Sequence, residues 1–230
     1  MTLFQKPLPQ ILVASAALIA GLWLAPSAHA TPFVYEPDDF AIGTALTHAV
    51  LGVTLTVSGR PDAVVLVRDG FSAFNGRNVA TTGTRVFGNQ PAFPPLPDGQ
   101  VWDEGLYSLL RVDFALPTDF VQIDLIFDDD DVGILRAYDI NGILLGSSVG
   151  AGDGRGSVPF VTAMIARAVA DIAYITAGGV GGEALLLDNL HFNLYAPAPI
   201  PTPLPASLAL LGLGLLGIGA TRRRMNRTAF

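Results

Sequence analysis

The stretch from Pro197 to Arg227, PAPIPTPLPASLALLGLGLLGIGATRRRMNR, limits where a folded core can lie. A proline-rich run leads into 15 uncharged residues, Ala206 to Ala220, and then into Arg222, Arg223, Arg224 and Arg227. A comfortable bilayer span needs roughly 20 residues, a gap that flanking residues or a thinned bilayer can close. Gly-rich sequence ending in arginines suits a soluble core badly, so this stretch reads as a weak membrane anchor. A basic cluster stays on the cytoplasmic side, which puts everything before Pro205 outside the cytoplasm. The other end agrees. Met1 to Lys6 carries one cation, Ile11 to Leu24 is apolar, and Ala28-His29-Ala30 supplies the small-x-small site at which a signal peptidase cuts. A retained N-terminal anchor is the competing reading, disfavoured by the short apolar run and the clean site. The expected layout is therefore a signal peptide helix over 1–30, an exported domain over 31–196, and a linker with a C-terminal hydrophobic helix over 197–230.

The order of parts at the C-terminus is more specific than its hydropathy. Pro203-Leu204-Pro205-Ala206, the Leu/Gly run and then Arg222-Arg223-Arg224 resemble the C-terminal sorting signal of PEP-CTERM proteins. The match is to the variant whose motif is Val-Pro-Leu-Pro-Ala, with Thr202 standing where that variant has valine. The resemblance implies transient inner-membrane insertion, recognition by an exosortase-type sorting protease, and delivery to the cell surface or beyond. It implies nothing catalytic.

Residues 31–196 hold all 20 acids but only eight arginines and no lysine, a net charge of −12. So acidic a domain argues against nucleic acid and anionic lipid as partners. There is no cysteine, which removes disulfides and thiolate chemistry and leaves stability to a hydrophobic core.

Along that core, period two dominates. Val53–Ser58 alternates Val/Leu/Val with Thr/Thr/Ser, and Ala63–Val67 is β-branched; both read as strands. Asp69–Gly105 is rich in Gly, Asn, Thr and Pro, mostly loop with a short strand near Thr84–Phe87. Leu106–Phe114 and Phe120–Phe127 are strands, as are Val158–Val161, Ile172–Thr176 and Leu185–Leu194, with an Ala-rich helical turn expected between Val161 and Ile172. Asn141-Gly142 between apolar runs predicts a two-residue hairpin, both positions at positive φ. Nine or ten short strands with hardly a helical period predict an all-β fold, an antiparallel β-sandwich of jelly-roll type.

A second resemblance follows from Glu36-Pro37-Asp38-Asp39-Phe40, Gly43-Thr44 and Gly52-Val53-Thr54, with Arg136–Gly142, Ile172–Tyr174 and Leu187–Phe192 as later strands. These are similar to exported galactose-binding-like and lectin-like β-sandwiches. The resemblance implies a structural calcium joining first and last strands, with Asp188 and Glu36, Asp38 or Asp39 as ligands. The residues themselves leave Asp188 open. An unbroken strand gives it the parity of Leu186, Leu190 and Phe192, and a carboxylate so buried needs a cation, donors from a loop, or a bulge that exposes it.

Other chemistry is thinner. Gly146-Ser147-Ser148-Val149-Gly150 matches a nucleophile elbow, with Asp171 or Asp188 and then His191 in hydrolase order. An elbow needs a strand running into a helix, and a glycine-rich loop follows instead. His48 and His191 lack partners at metal-ligand spacing. Asp128–Asp131 offers hard oxygens but not an EF-hand register, since Val132 breaks it. Trp102, Phe93, Phe87, Phe74 and Phe71 are either glycan-stacking aromatics or, more in keeping with their size, anchors that tuck the long loop down. The whole reads as a non-catalytic, structural or adhesive surface protein, with exopolysaccharide or another glycan as the specific ligand. A secreted glycan-active or ester hydrolase is the alternative.

Overall fold

The structure is a computed structural model and describes residues 30–70, 79–90, 102–106, 108–127, 130–153, 160–183 and 185–195. The expected signal peptide helix, the C-terminal helix and the sorting residues Pro203–Ala206 and Arg222–Arg224 lie outside them, as do Ala28, Phe71, Phe74, Phe93, Asp128 and Asp129.

Eleven strands are described: β1 (Ala30–Tyr35), β2 (Val53–Ser58), β3 (Val64–Asp69), β4 (Arg85–Gln90), β5 (Leu109–Thr118), β6 (Phe120–Ile126), β7 (Val132–Tyr138), β8 (Leu144–Ala151), β9 (Phe160–Ala166), β10 (Ile172–Gly179) and β11 (Leu186–Tyr195). The described helices are two single 3-10 turns, Pro37–Asp39 and Glu104–Leu106. One sheet has the order β3-β4-β11-β6-β9, with β1 added beside β11 as its sixth strand; the other runs β2-β5-β10-β7-β8. The pairings between these strands are antiparallel, and most connections cross from one sheet to the other. That wrapping makes this a β-sandwich of jelly-roll type, as the period-two pattern predicts.

The core lies between the sheets because each strand's alternation turns one face inward. Leu55, Val112, Leu135 and Ile175 from the five-stranded sheet meet Val67, Phe87, Ile123, Leu125, Leu187 and Phe192 from the six-stranded one. Trp102 is fully buried and donates its indole N–H to the Phe87 carbonyl at 2.8 Å, so both aromatics anchor the long loop and neither offers a stacking face. A smaller cluster, Val79, Val86, Ile126 and Leu186, sits on the outward side of the six-stranded sheet, with Ala80 packed against it. The segment 79–82 therefore covers that face.

Two local expectations are corrected, and one strand is added to those read from the sequence. The Ala-rich stretch expected to turn helically is strand β9 and a bend, because pairing along Phe120–Ile126 satisfies its backbone better than an isolated turn would. Tyr35 ends a strand that a proline at position 32 disguised; Pro32 is tolerated in β1, which adds to the sheet beside β11 alone. The Asn-Gly hairpin is real, but only Gly142 takes positive φ, at +79°. Asp139 Oδ1 accepts the N–H groups of Asn141 (2.9 Å) and Ile143 (2.8 Å), which holds Asn141 out of the left-handed region and lengthens the loop.

Candidate functional site

Asp188 lies where β11 changes neighbours on one edge. Leu187 pairs with Phe87 of β4, whereas Leu190 onward pairs with β1. The ladder to β6 slips between Asp188 and His191, and Asn189 takes φ +53°, the one positive-φ residue other than glycine among those described. Asparagine tolerates that region better than most side chains. The bulge inverts parity: Leu187, Leu190 and Phe192 face the core, while Leu186, Asp188 and His191 face outward. The assignment of Asp188 to the core side thus fails because the strand is not unbroken. Asp188 is buried all the same, at 0% exposure, beneath the turn at Thr81-Thr82.

That turn supplies its donors. Asp188 Oδ2 accepts the N–H of Thr81 (2.8 Å) and of Thr82 (3.1 Å), and Oδ1 accepts the N–H of Asn189 (2.9 Å). Thr81 Oγ1 stands 2.8 Å from Asp124 Oδ2 and 3.0 Å from Asp188 Oδ2, so one hydroxyl proton serves two carboxyls. Asp124 also accepts from Thr162 Oγ1 and Asn189 Nδ2. Glu36, one residue past β1, accepts the Thr82 hydroxyl. Asp38 accepts the N–H of Thr84 at 3.0 Å, and the intervening Gly83 has φ +50°. A Cβ at Gly83 would stand 2.3 Å from the Asp38 carboxyl.

The described salt bridges are Arg111–Asp113, Arg136–Glu104 and Arg167–Asp171, and none reaches this cluster. Burial pushes the Glu36 carboxyl up to about 7, against its Thr82 hydrogen bond, with Asp188 beside it adding repulsion. Burial likewise raises Asp188, while the Thr81-Thr82 donors oppose it. The Thr82 hydroxyl lies between the two, 2.5 Å from Glu36 Oε1 and 3.4 Å from Asp188 Oδ2.

Calcium takes six to eight oxygen ligands. Here the oxygens of Asp188 and Asp124 already accept protein donors, Asp39 is exposed, and no group of three His, Cys, Asp or Glu among the described residues is arranged to hold an ion. Glu36 and Asp188 do converge, and donors from the Thr81-Thr82 turn meet both carboxyls.

The hydrolase pattern disperses. Gly146–Gly150 lies within strand β8, with no strained turn to expose the serine. Ser148 belongs to the five-stranded sheet and accepts the Met164 N–H through its Oγ at 3.3 Å; His191 belongs to the other sheet, its Nε2 2.6 Å from Asn189 Oδ1. Asp171 is paired with Arg167. His48 is exposed, 3.4 Å from Thr54 Oγ1. Asp130 is exposed and Asp131 buried at the start of β7.

A different constellation occupies the outward face of the five-stranded sheet. The order β5-β10-β7 aligns Asp113 with Tyr174 and Tyr138, and Arg111 with Thr176 and Arg136. Tyr138 and Tyr174 stack with centroids 4.8 Å apart and planes 11° from parallel, and the Arg111 guanidinium lies 3.8 Å over the Tyr174 ring. Asp113 grips Arg111 through three contacts, and Glu104 grips Arg136 through two. Between the arginines, Thr176 Oγ1 is buried without a hydrogen-bond partner. A cavity of about 370 Å³ adjoins this face, lined by Thr56, Ser58, Arg60, Pro61 and Arg111 among others. Sequence reasoning missed this site. Its one signal was the polar parity of Arg111/Asp113, Arg136/Tyr138 and Tyr174/Thr176, which says nothing of which strands are neighbours.

A jelly-roll-type sandwich followed by an apolar, arginine-ended tail is the class of protein that results. Residues 201–224 match the PEP-CTERM protein-sorting motif, a span that takes in Pro203, Leu204, Pro205, Ala206 and Arg222–Arg224. No curated protein matches the chain. Among solved structures it is similar to the CBM22-1 xylan-binding domain of Paenibacillus barcinonensis Xyn10C, at 10% identity and TM-score 0.40 over 75% of this chain and 100% of that one. It is also similar to the K1 cleaved adhesin domain of Lys-gingipain from Porphyromonas gingivalis W83 (8% identity, TM-score 0.39, 70% of this chain and 97% of that one). A family 35 carbohydrate-binding module from Clostridium thermocellum follows at 10% identity and TM-score 0.30, covering 70% of this chain and 97% of that one.

Proposed function

We propose that this is an exported, C-terminally sorted β-sandwich that binds extracellular polysaccharide without cleaving it. The sorting motif supports the destination: insertion of 206–220 in the inner membrane, cleavage by an exosortase-type protease, and release or display at the cell surface. The outward face of the five-stranded sheet carries the ligand reading. Its stacked tyrosines are held by Arg111, and Arg136, Asp113 and the unpartnered Thr176 hydroxyl line the same face. Paired aromatic rings beside fixed polar groups are what a sugar chain needs, apolar ring faces on one side and hydroxyls on the other.

The non-catalytic part rests on the carboxyls. A glycosidase holds two of them about 5 to 9.5 Å apart across the scissile bond. Glu36 and Asp188 both meet the Thr82 hydroxyl under the Thr81-Thr82 turn, at 2.5 Å and 3.4 Å, which leaves no room for a sugar between them. We assign that cluster to joining β1, β6 and β11, closed by a proton and independent of calcium.

The test is depletion of the full chain by a panel of neutral and acidic polysaccharides, comparing wild type with Tyr138→Ala and Arg136→Ala. Binding that falls about tenfold in each variant, roughly 1.4 kcal/mol, is expected. Equal binding by all three chains, or binding by none, defeats the assignment to this face.

A further inference from the structure

The large apolar side chains left exposed are not spread evenly. Leu51 is 95% exposed, Ile140 83%, Ile143 62%, Val169 61% and Leu144 53%. These five come from three separate connections, and the pairings bring those connections to one end of the sandwich. Gly52 accepts the N–H of Ala115 beside the β5–β6 turn. Arg167 donates its N–H to the Asp119 carbonyl in that same turn, which ties down the loop carrying Val169. Tyr138 pairs with both Tyr174 and Leu144, so the 139–143 hairpin stands next to the start of β10.

These side chains are presented rigidly. The hairpin tip is closed by Asp139 N–H to the Ile143 carbonyl (3.0 Å), Gly142 N–H to the Asp139 carbonyl (3.1 Å) and the two bonds to the Asp139 carboxylate. The carboxylates at this end are engaged: Asp139 in its own turn, Asp171 with Arg167 at 2.8 Å, and Asp119 with Asn193 at 2.8 Å. Apolar groups carried on a backbone held in this way lose side-chain rotamer freedom but little backbone freedom when something covers them.

Both ends of the described chain leave from here as well. Ala30 pairs with Tyr195, and Asn193 donates its N–H to Thr118 Oγ1 at the β5–β6 turn. Ten residues, 196–205, separate Tyr195 from the apolar run 206–220. Five of the ten are proline, and ten residues reach roughly 35 Å at most. With 206–220 in a bilayer, this end of the domain is the one tethered within that distance of the lipid surface, where effective concentration is high.

We propose that this end of the sandwich is a bilayer-facing surface, seated in the phospholipid headgroup layer through Leu51, Ile140, Ile143, Leu144 and Val169 while the tail is still attached. It rests on the insertion of 206–220 proposed above. Such a contact holds the Pro-Leu-Pro-Ala motif at the membrane until the tail is cut, after which the single tether is gone and the weak apolar contact releases. Interfacial binding of this kind scales with the apolar area inserted, and a small patch without a covalent anchor gives reversible association.

The chain has no cysteine, so a single reporter can be placed at will. Full-length Ile143→Cys and Val149→Cys, each carrying an environment-sensitive fluorophore, are reconstituted with zwitterionic phosphatidylethanolamine–phosphatidylcholine vesicles that contain a headgroup-level nitroxide lipid. Both positions are exposed and apolar, but Val149 lies further along β8, away from the hairpin. Vesicle flotation is measured on the same samples. Flotation with several-fold stronger quenching at 143 than at 149 is the expected result. Flotation with equal quenching overturns the lipid-facing end and leaves tail insertion standing. Failure to float overturns insertion and the proposal with it. A blue shift at 143 that grows with protein concentration, without lipid quenching, assigns the surface to a second copy and overturns the lipid assignment.

Discussion

Replacing Glu36 with glutamine isolates the proton at the β1–β11 joint. Glutamine keeps an acceptor for the Thr82 hydroxyl and a permanent donor for Asp188, so it mimics the protonated state. The Glu36 carboxyl is raised from 4.5 to about 7 by burial, opposed by Thr82 and reinforced by Asp188. A carboxyl raised on folding makes the native state bind more protons than the unfolded one between those values, so stability is full below pH 4.5 and falls as pH rises through 7. Each pH unit in that window is worth about 1.4 kcal/mol, or about 3 kcal/mol across it. Glu36 is only partly buried, and solvent screening brings this to roughly 1.5 kcal/mol. Other titrations cancel between the two chains. Glu36→Gln is therefore expected to match wild type near pH 4.5 and to exceed it by roughly 1.5 kcal/mol at pH 8, about 3 to 6 °C in Tm for a domain of this size. Urea unfolding of the full chain at half-unit pH steps, with and without millimolar calcium, is the assay. A wild-type minus variant difference that stays flat from pH 4.5 to 8 refutes the raised Glu36 carboxyl. Calcium that restores wild-type stability at pH 8 refutes the proton as the closing group and returns the joint to a cation.

Two further expectations are simpler. Gly83→Ala should lower unfolding stability by about 1 to 3 kcal/mol, because φ +50° is costly for alanine and its Cβ would strike the Asp38 carboxyl; an unchanged melt would mean the turn relocates freely. Intact mass of the protein from a host with the matching sorting protease should begin at Thr31 and end near Pro205, whereas a mass that retains Arg222–Phe230 in the inner membrane would make the tail an ordinary anchor.

Much of the sandwich was legible because burial on one face writes itself as alternation. Val53–Ser58 and Phe120–Ile126 show it residue by residue. The failures have particular causes. In β9 alanine supplies weak β preference, so only pairing with β6 makes it a strand. In β1 a proline hides strand character that an edge position permits. At Asp139 a side chain outcompetes the favoured two-residue turn. Asp188 stands out in the sequence as a carboxylate in need of a cation, loop donors or an exposing bulge, but its orientation does not, since parity counting cannot foresee a left-handed Asn189 in mid-strand.

The linear order of apolar, proline and arginine residues determined by itself the sorting motif at 201–224, because a membrane signal is read along the chain and needs no fold. Hydrophobic period likewise determined that residues 31–196 would be all-β. Which strands became neighbours was decided only in three dimensions. The order β5-β10-β7 built the Arg111–Tyr174–Tyr138 row from three segments spread over more than sixty residues, and the switch from β4 to β1 along β11 brought Glu36 close to Asp188. The physical reason is common to both: strand pairing fixes long-range register through backbone hydrogen bonds, which every sequence offers alike, so the side chains it aligns leave no local trace.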